Sequence, residues 1–268
     1  MHGLIAVLVF FMSITLAYSE TAREIIDKVF DNNGQKYQKE VQEMTLIGSN
    51  GNSETRIFHK YSIKNDDGTS RVLLSFLGPA SIKGVALLTW QNKDGNDDQW
   101  LYVPALSNEL KRITKGGKKN YFLGTDYTIE DLMTEDRNNF NYSKLNDSKI
   151  KNTNCYVIEV VPATDELKSE SGYSSRKLYI NKTSYIISKI EYFDKNNKLI
   201  KTLVLNEIKK IKIASTEFWR ADEAILENHN THHKTVILVI SRSFSKEDVS
   251  EDYFTHRFIT LKKHLSIP

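Results

Sequence analysis

Three acidic side chains in one short stretch, Asp126, Glu130 and Asp131, are the residues whose types come nearest to chemistry. Two carboxylates held at different pKa would suffice for general acid and base work. Their spacing points elsewhere. A short helix is expected over Ile129–Met133, with Thr128 at its N-cap and Asp131 at the third position, so capping accounts for the acids. No nucleophile or oxyanion donor stands beside them in sequence, so a hydrolase on Asp126 and Glu130 ranks last among the readings kept. His229, His232 and His233 form the densest histidine cluster. Neighbours on a strand point to opposite faces, so this group reads as a solvent-facing strand end and not as a metal site. The single cysteine, Cys155, excludes an intramolecular disulfide and a multi-cysteine metal centre. It opens an expected strand as a small half-buried side chain. Lys115-Gly116-Gly117-Lys118-Lys119 has the composition of a phosphate loop without its spacing, and no Ser or Thr follows. The patterns G-x-S-x-G, G-x-G-x-x-G and H-E-x-x-H are absent. No enzyme, no metal and no cofactor is therefore expected. Lys209-Lys210-Ile211-Lys212 reads as a solvated strand end, with contact to an anionic lipid surface as its functional alternative. The sequons at Asn141, Asn146 and Asn181 matter only in a glycosylating host.

The elements that would position these residues are mostly strands. Ala22, Ile25, Ile26, Val29 and Phe30 fall on one face of a helix expected over Glu20–Asn33, ended by Asn32-Asn33-Gly34. Beyond it the period becomes two. Lys39–Gly48 and Ser53–Lys64 should pair antiparallel around Asn50-Gly51. Further strands are expected at 70–77, 83–91, 99–103, 155–161, 175–180, 184–193, 199–211, 218–227 and 234–241. A capped helical turn at 245–253 should precede a last extended stretch, 254–261. This pattern is one long antiparallel sheet with few helices, and its apolar face must curl or be covered.

With 40% hydrophobic and 26% charged residues, the composition excludes a disordered chain and a collagen. Leu4–Leu16 is an apolar run of thirteen residues followed by Ala17-Tyr18-Ser19. That run is short for a membrane span and suits a signal peptide cleaved after Ser19, leaving one exported domain over 20–268. The net charge of +3 neither requires nor excludes an anionic partner. No helix carries clustered Arg, so no nucleic-acid partner is expected.

Two stretches concentrate aromatic residues around turns. One is Asp98-Gln99-Trp100-Leu101-Tyr102-Val103-Pro104-Ala105-Leu106, continuing to Lys111-Arg112-Ile113; the other is Tyr121-Phe122-Leu123-Gly124-Thr125-Asp126-Tyr127-Thr128-Ile129-Glu130-Asp131-Leu132. Together they resemble the signature of the LolA-like family, and most closely the exported outer-membrane lipoprotein-sorting-like proteins found with RND-type exporters. Asp252-Tyr253-Phe254-Thr255-His256-Arg257 resembles that family's closing motif. Ser107-Asn108-Glu109 and the region 213–235 depart from the pattern. The resemblance implies a mainly β (α+β) fold: a single curled antiparallel sheet forming an incompletely closed barrel with covering helices. It implies carriage of lipid or lipoprotein acyl chains in the periplasm, and an inner-membrane RND-type exporter as partner. Under it, Trp90, Trp100, Tyr102, Phe122, Leu123 and Leu132 are expected to line or close an apolar cavity, with Ile26, Val29 and Phe30 as the inner face of a lid helix. A module that binds without carrying, as a lipoprotein sensor or exporter accessory, is the alternative.

Overall fold

The structure, a computed structural model, describes residues 19–32, 34–93 and 97–267. The apolar run Leu4–Leu16 lies outside the described residues. Helix α1 (Ala22–Asn32) opens the domain. Thr21 and Glu24 start it by a reciprocal cap: the Glu24 N–H donates to Thr21 Oγ1 at 3.3 Å and the Thr21 N–H to Glu24 Oε2 at 2.8 Å. Strands β1 (Tyr37–Ile47) and β2 (Ser53–Lys64) follow, joined by the expected turn and paired along their whole length. Then come β3 (Ser70–Gly78), β4 (Ala86–Trp90), β5 (Asp98–Tyr102) and a short β6 (Leu110–Arg112). The second half holds β7 (Phe140–Lys144), β8 (Ser148–Ile150), β9 (Thr153–Pro162), helix α2 (Asp165–Glu170), β10 (Ser175–Asn181) and β11 (Ile187–Phe193). It closes with β12 (Leu199–Ile213), β13 (Thr216–Asn228), β14 (Lys234–Ser243) and helix α3 (His256–Thr260).

Among the described residues, the strands form one antiparallel sheet in the order β6-β5-β4-β3-β2-β1-β14-β13-β12-β11-β10-β9-β7, with β8 also on β9. The chain doubles back once, where β14 slots against β1, so the two halves share a wall. The sheet is mostly β and open: β6 and β7 are its ends and do not pair with each other. Laid flat it would be roughly 60 Å wide at the usual strand spacing. Yet Lys115, three residues past β6, ion-pairs with Glu166 in α2 at 2.6 Å. Only a strongly curled sheet brings those ends together.

Two expectations are corrected. The stretch 254–261 is not extended: Thr255 caps α3 by accepting from the Phe258 N–H at 3.2 Å, and a 3-10 turn at Lys263–Ser266 follows. Phe254, which ends a 3-10 turn over Glu251–Phe254, and Ile259, in α3, are both fully buried on one face of the sheet. The helix expected over Ile129–Met133 is a single 3-10 turn, Glu130–Leu132. Thr128 and Asp131 still bond reciprocally, Asp131 N–H to Thr128 Oγ1 at 3.3 Å and Thr128 N–H to Asp131 Oδ2 at 2.7 Å.

Candidate functional site

Residues directly opposite each other on neighbouring strands share a sheet face. Following that rule from strand to strand separates an inner face from an outer one. Inner residues include Met44, Phe58, Phe76, Leu74, Leu87 and Leu101 in the first half, and Ile158, Leu178, Ile190, Leu203, Leu226 and Ile237 in the second. Two elements that contribute no strand to the sheet cover this face. Helix α1 lays Ile25, Ile26 and Val29 on Ile158, Val160, Leu178, Ile180 and Ile190. The segment 120–133 lays Phe122 and Ile129 on Met44, Phe58, Leu74, Phe76 and Leu87. Leu132 touches both clusters and joins the two covers.

The segment 120–133 is a plug with its own polar frame. A bridge between Tyr121 and Thr128 closes it into a loop, with Leu123 (φ 49°) and Gly124 (φ 75°) at the tip. The glycine takes a positive φ that a side chain would resist. Arg56 donates to Leu123 O at 2.7 Å and Asp126 accepts from Thr235 Oγ1 at 2.9 Å. A solvent-open cleft of about 270 Å³ beside the tip is lined by Leu46, Ile47, Gly124, Asp126 and His233 among others.

Beneath the plug lies a buried ion pair. Lys201 Nζ meets Asp131 Oδ2 at 2.5 Å, with side chains 1% and 3% exposed. Lys201 also donates to Asp126 O at 3.2 Å and sits over the rings of Tyr173 and Tyr192 at 4.8 and 5.0 Å. Tyr173 Oη donates to Asp131 at 2.9 Å. Burial and the Asp131 carboxylate hold the Tyr173 phenol far above its ordinary pKa, so it stays a donor. Glu130 accepts from Ser171 Oγ and from the Gly172 N–H at 2.8 Å. The three acids thus fasten the plug to β12, β14 and the loop before β10.

Helix α1 is fastened at both ends by polar groups near the surface. Glu20 accepts from Tyr156 Oη at 2.5 Å, from Tyr185 Oη at 3.0 Å and from Lys28. The Lys28 ammonium first, and then the two phenols, hold its carboxyl down at about 2, against the cost of burial. At the other end Asn32 Nδ2 donates to Ser184 O at 2.7 Å, and Arg220 donates to Asn32 O at 2.5 Å.

The nine residues expected to form one cavity divide between the two faces. Ile26, Val29 and Phe30 on α1, and Phe122, Leu123 and Leu132 on the plug, come together over the inner face. Trp90, Trp100 and Tyr102 lie on the outer face, beneath the C-terminal segment. Strand alternation is the reason: Trp100 and Tyr102 share a phase, and Leu101 between them takes the inner side. Trp90 and Trp100 pack at 4.8 Å and hold His256 between 4.4 and 5.1 Å from their rings. Trp90 Nε1 donates to Phe254 O at 2.8 Å, and Tyr102 packs edge-on to buried His264 at 5.7 Å.

Other residues fall as follows. His232 and His233 are exposed in the β13–β14 turn, and His229 Nε2 pairs with Thr202 Oγ1 at 2.8 Å. Cys155 is fully buried, not half-buried, and burial pushes its thiol pKa up. Lys201 and its aromatic cradle escaped the sequence reading. The available signal was a lysine in phase with Leu203 and Leu205 along an otherwise alternating strand.

Comparison with known proteins agrees with this geometry. Residues 68–260, well over half of the chain, match the model of a DUF1329-like family described as an uncharacterized protein. No curated protein matches the chain. A crystal structure of a domain assigned to outer membrane lipoprotein sorting, from Vibrio parahaemolyticus, superposes with a TM-score of 0.80 at 27% identity, covering 88% of this chain and 97% of that one. A DUF1329 family protein from Desulfovibrio piger gives 0.79 at 24% identity, covering 90% and 100%. A LolA superfamily protein from Nitrosomonas europaea gives 0.65 at 16% identity, covering 88% and 98%, and shares the fold. With the two aromatic motifs on one open sheet under a helix and a plug, the chain belongs to the DUF1329-like family whose model it matches over residues 68–260, and it is similar in fold to outer-membrane lipoprotein-sorting and LolA superfamily proteins.

Proposed function

We propose that this protein is a periplasmic carrier or binder of lipid or lipoprotein acyl chains, serving outer-membrane lipoprotein sorting or lipid transport without a cofactor and without catalytic turnover. The observation that carries this reading is the separability of the cover from the wall. The inner apolar face is covered by α1 and the plug, neither of which is a strand of the sheet. Each buried Ile, Val or Phe on the cover returns about 1.5–3 kcal/mol. An acyl chain offers about 0.8 kcal/mol per CH₂, so a long chain supplies enough to displace part of the cover and take its place. The ligand contacts proposed are Ile26, Val29, Phe30, Phe122, Leu123 and Leu132. Trp90, Trp100 and Tyr102 hold the outer side of the wall instead. The likeness to a lipoprotein-sorting domain over nearly the whole chain supports this class of cargo. Export rests on the leader Leu4–Leu16 and fits the finding that no described helix is long and apolar enough to cross a membrane. An inner-membrane RND-type exporter is the partner the family resemblance implies.

The test is native mass spectrometry of the protein from an envelope fraction, then solvent extraction of what it holds. A bound acyl-chain species in fixed stoichiometry is expected. A chain that arrives empty and takes up no lipid from vesicles overturns the reading. A second reading, a module that binds without transferring, is favoured by the buried Lys201–Asp131 pair, because it fixes the plug. Transfer of labelled lipid between two vesicle populations separates the two.

A further inference from the structure

The hairpin of β12 and β13 outruns the sheet that carries it. Strand β12 pairs with β11 only as far as Val204, and β13 pairs with β14 only from Glu223 onward. Beyond these points, Leu205–Ile213 and Thr216–Asp222 pair only with each other among the described residues. Nine residues past Val204 make an arm roughly 30 Å long. Its inner side is anchored: Phe218 packs edge-on to Phe244 at 5.1 Å, Arg242 meets Asp222 at 2.7 Å and Arg220 caps the end of α1. The arm is therefore held in place and its other side is left open.

That other side has a distinct composition. Cross-strand pairing puts Ile208 beside Ala221, Lys210 beside Trp219 and Lys212 beside Glu217 on the outer face. Leu238 and Ile240 on neighbouring β14 add exposed apolar surface, 36% and 61% accessible. On the arm's outer face two lysines, Lys210 and Lys212, stand against one acid, Glu217, while Lys209 lies opposite Arg220 on the inner side. Lys210 pairs with Glu217 in a solvent-exposed contact worth little, and Lys209 pairs with the half-buried Asp222 on the inner side. Lys212 is exposed and has no ion-pair partner among the described residues. An unpaired strand edge would ordinarily invite another strand, and lysines along it oppose that. Isoleucines and a tryptophan interleaved with lysines suit the headgroup level of an anionic bilayer.

We infer that the outer face of the β12–β13 arm docks this protein on an anionic lipid surface. The inference rests on the carrier reading for its purpose and on the arm alone for its chemistry. Docking there brings the membrane to the same hairpin whose inner side holds the end of the lid helix through Arg220.

The experiment is co-sedimentation of the purified chain with vesicles of phosphatidylglycerol or phosphatidylcholine, for the parent and for Lys210→Gln/Lys212→Gln. Binding to phosphatidylglycerol is expected to fall about fivefold for each lysine removed and to weaken with salt. Brominated lipid should quench Trp219, since Trp90 and Trp100 are packed under the C-terminal segment. Equal binding to phosphatidylcholine, unchanged binding by the folded variant, or a dimer that the variant abolishes overturns the inference. Uptake of a fluorescent fatty acid from solution, with no bilayer present, separates the two proposals. A variant that still loads but no longer docks supports the arm. A parent that docks but never loads refutes the carrier and leaves the arm standing.

Discussion

At the scale of single residues, the sheet face decides what each aromatic can do. Phe122 is buried on the inner face and Trp100 on the outer. If the inner face takes the acyl chain, Phe122→Ala reduces lipid loading severalfold while Trp100→Ala leaves loading intact and lowers stability, by about 3–5 kcal/mol for so large a truncation. Loading by vesicle depletion and chemical denaturation of each variant check both halves. The buried Lys201–Asp131 pair makes a second residue-scale prediction. Asp131→Ala strands a buried ammonium and costs about 3–5 kcal/mol, whereas Lys201→Met combined with Asp131→Leu costs far less because no charge is left unpaired. A double-mutant cycle in urea reads the difference.

At the scale of elements, α1 is a short helix held by packing along its middle and by polar groups at its ends. Its eleven residues would be marginal alone in water, so its fold depends on docking. Glu20 is the acid-sensitive fastening. Its carboxyl sits at about 2 in the folded protein against an ordinary value of 4.5. A depressed carboxyl contributes stability above its unfolded pKa and loses it as pH falls through the folded one. Docking of α1 should therefore weaken between about pH 4.5 and 2, with faster hydrogen exchange in the helix, and Glu20→Gln should flatten that dependence. The C-terminal segment illustrates the opposite lesson about elements. Residues 254–261 read as an extended stretch, but they lie on the outer face of the sheet and pair with neither of its open ends, β6 or β7. Tertiary packing on Tyr61, Leu73, Leu88 and Trp100 turns them into a helix.

At the scale of the whole molecule, a cluster of charges spans the gap between the ends of the open sheet. Lys115 pairs with Glu166 at 2.6 Å and with Glu170 at 2.7 Å; Lys118 lies 3.7 Å from Glu170; Lys119 donates to Ser169 O at 2.6 Å. These contacts join the segment after β6 to α2 after β9, across the gap in the barrel. Widening that gap would make room under the plug. A short bis-maleimide bridge between Lys115→Cys and Glu166→Cys should block lipid uptake, and a cleavable version should restore it on cleavage. Native Cys155 is buried and will not compete for the reagent.

The sequence by itself determined the β meander, the N-terminal helix, the turn between β1 and β2, the absence of an intramolecular disulfide and the family motifs. Each of these rests on local patterns: period two or 3.6, Asn-Gly at a turn, a single cysteine. It was silent on the short strands β6, β7 and β8, which have three to five residues and too little periodicity to stand out. Only the tertiary structure decided which face each aromatic occupies, because alternation gives two faces without saying which one a helix will cover. Only it brought Lys201 to Asp131, seventy residues apart, and let the β12–β13 arm outrun its neighbours. Those outcomes depend on how far each strand pairs with the next and how tightly the sheet curls. Both are properties of the packed whole, where long-range contacts outweigh local preference.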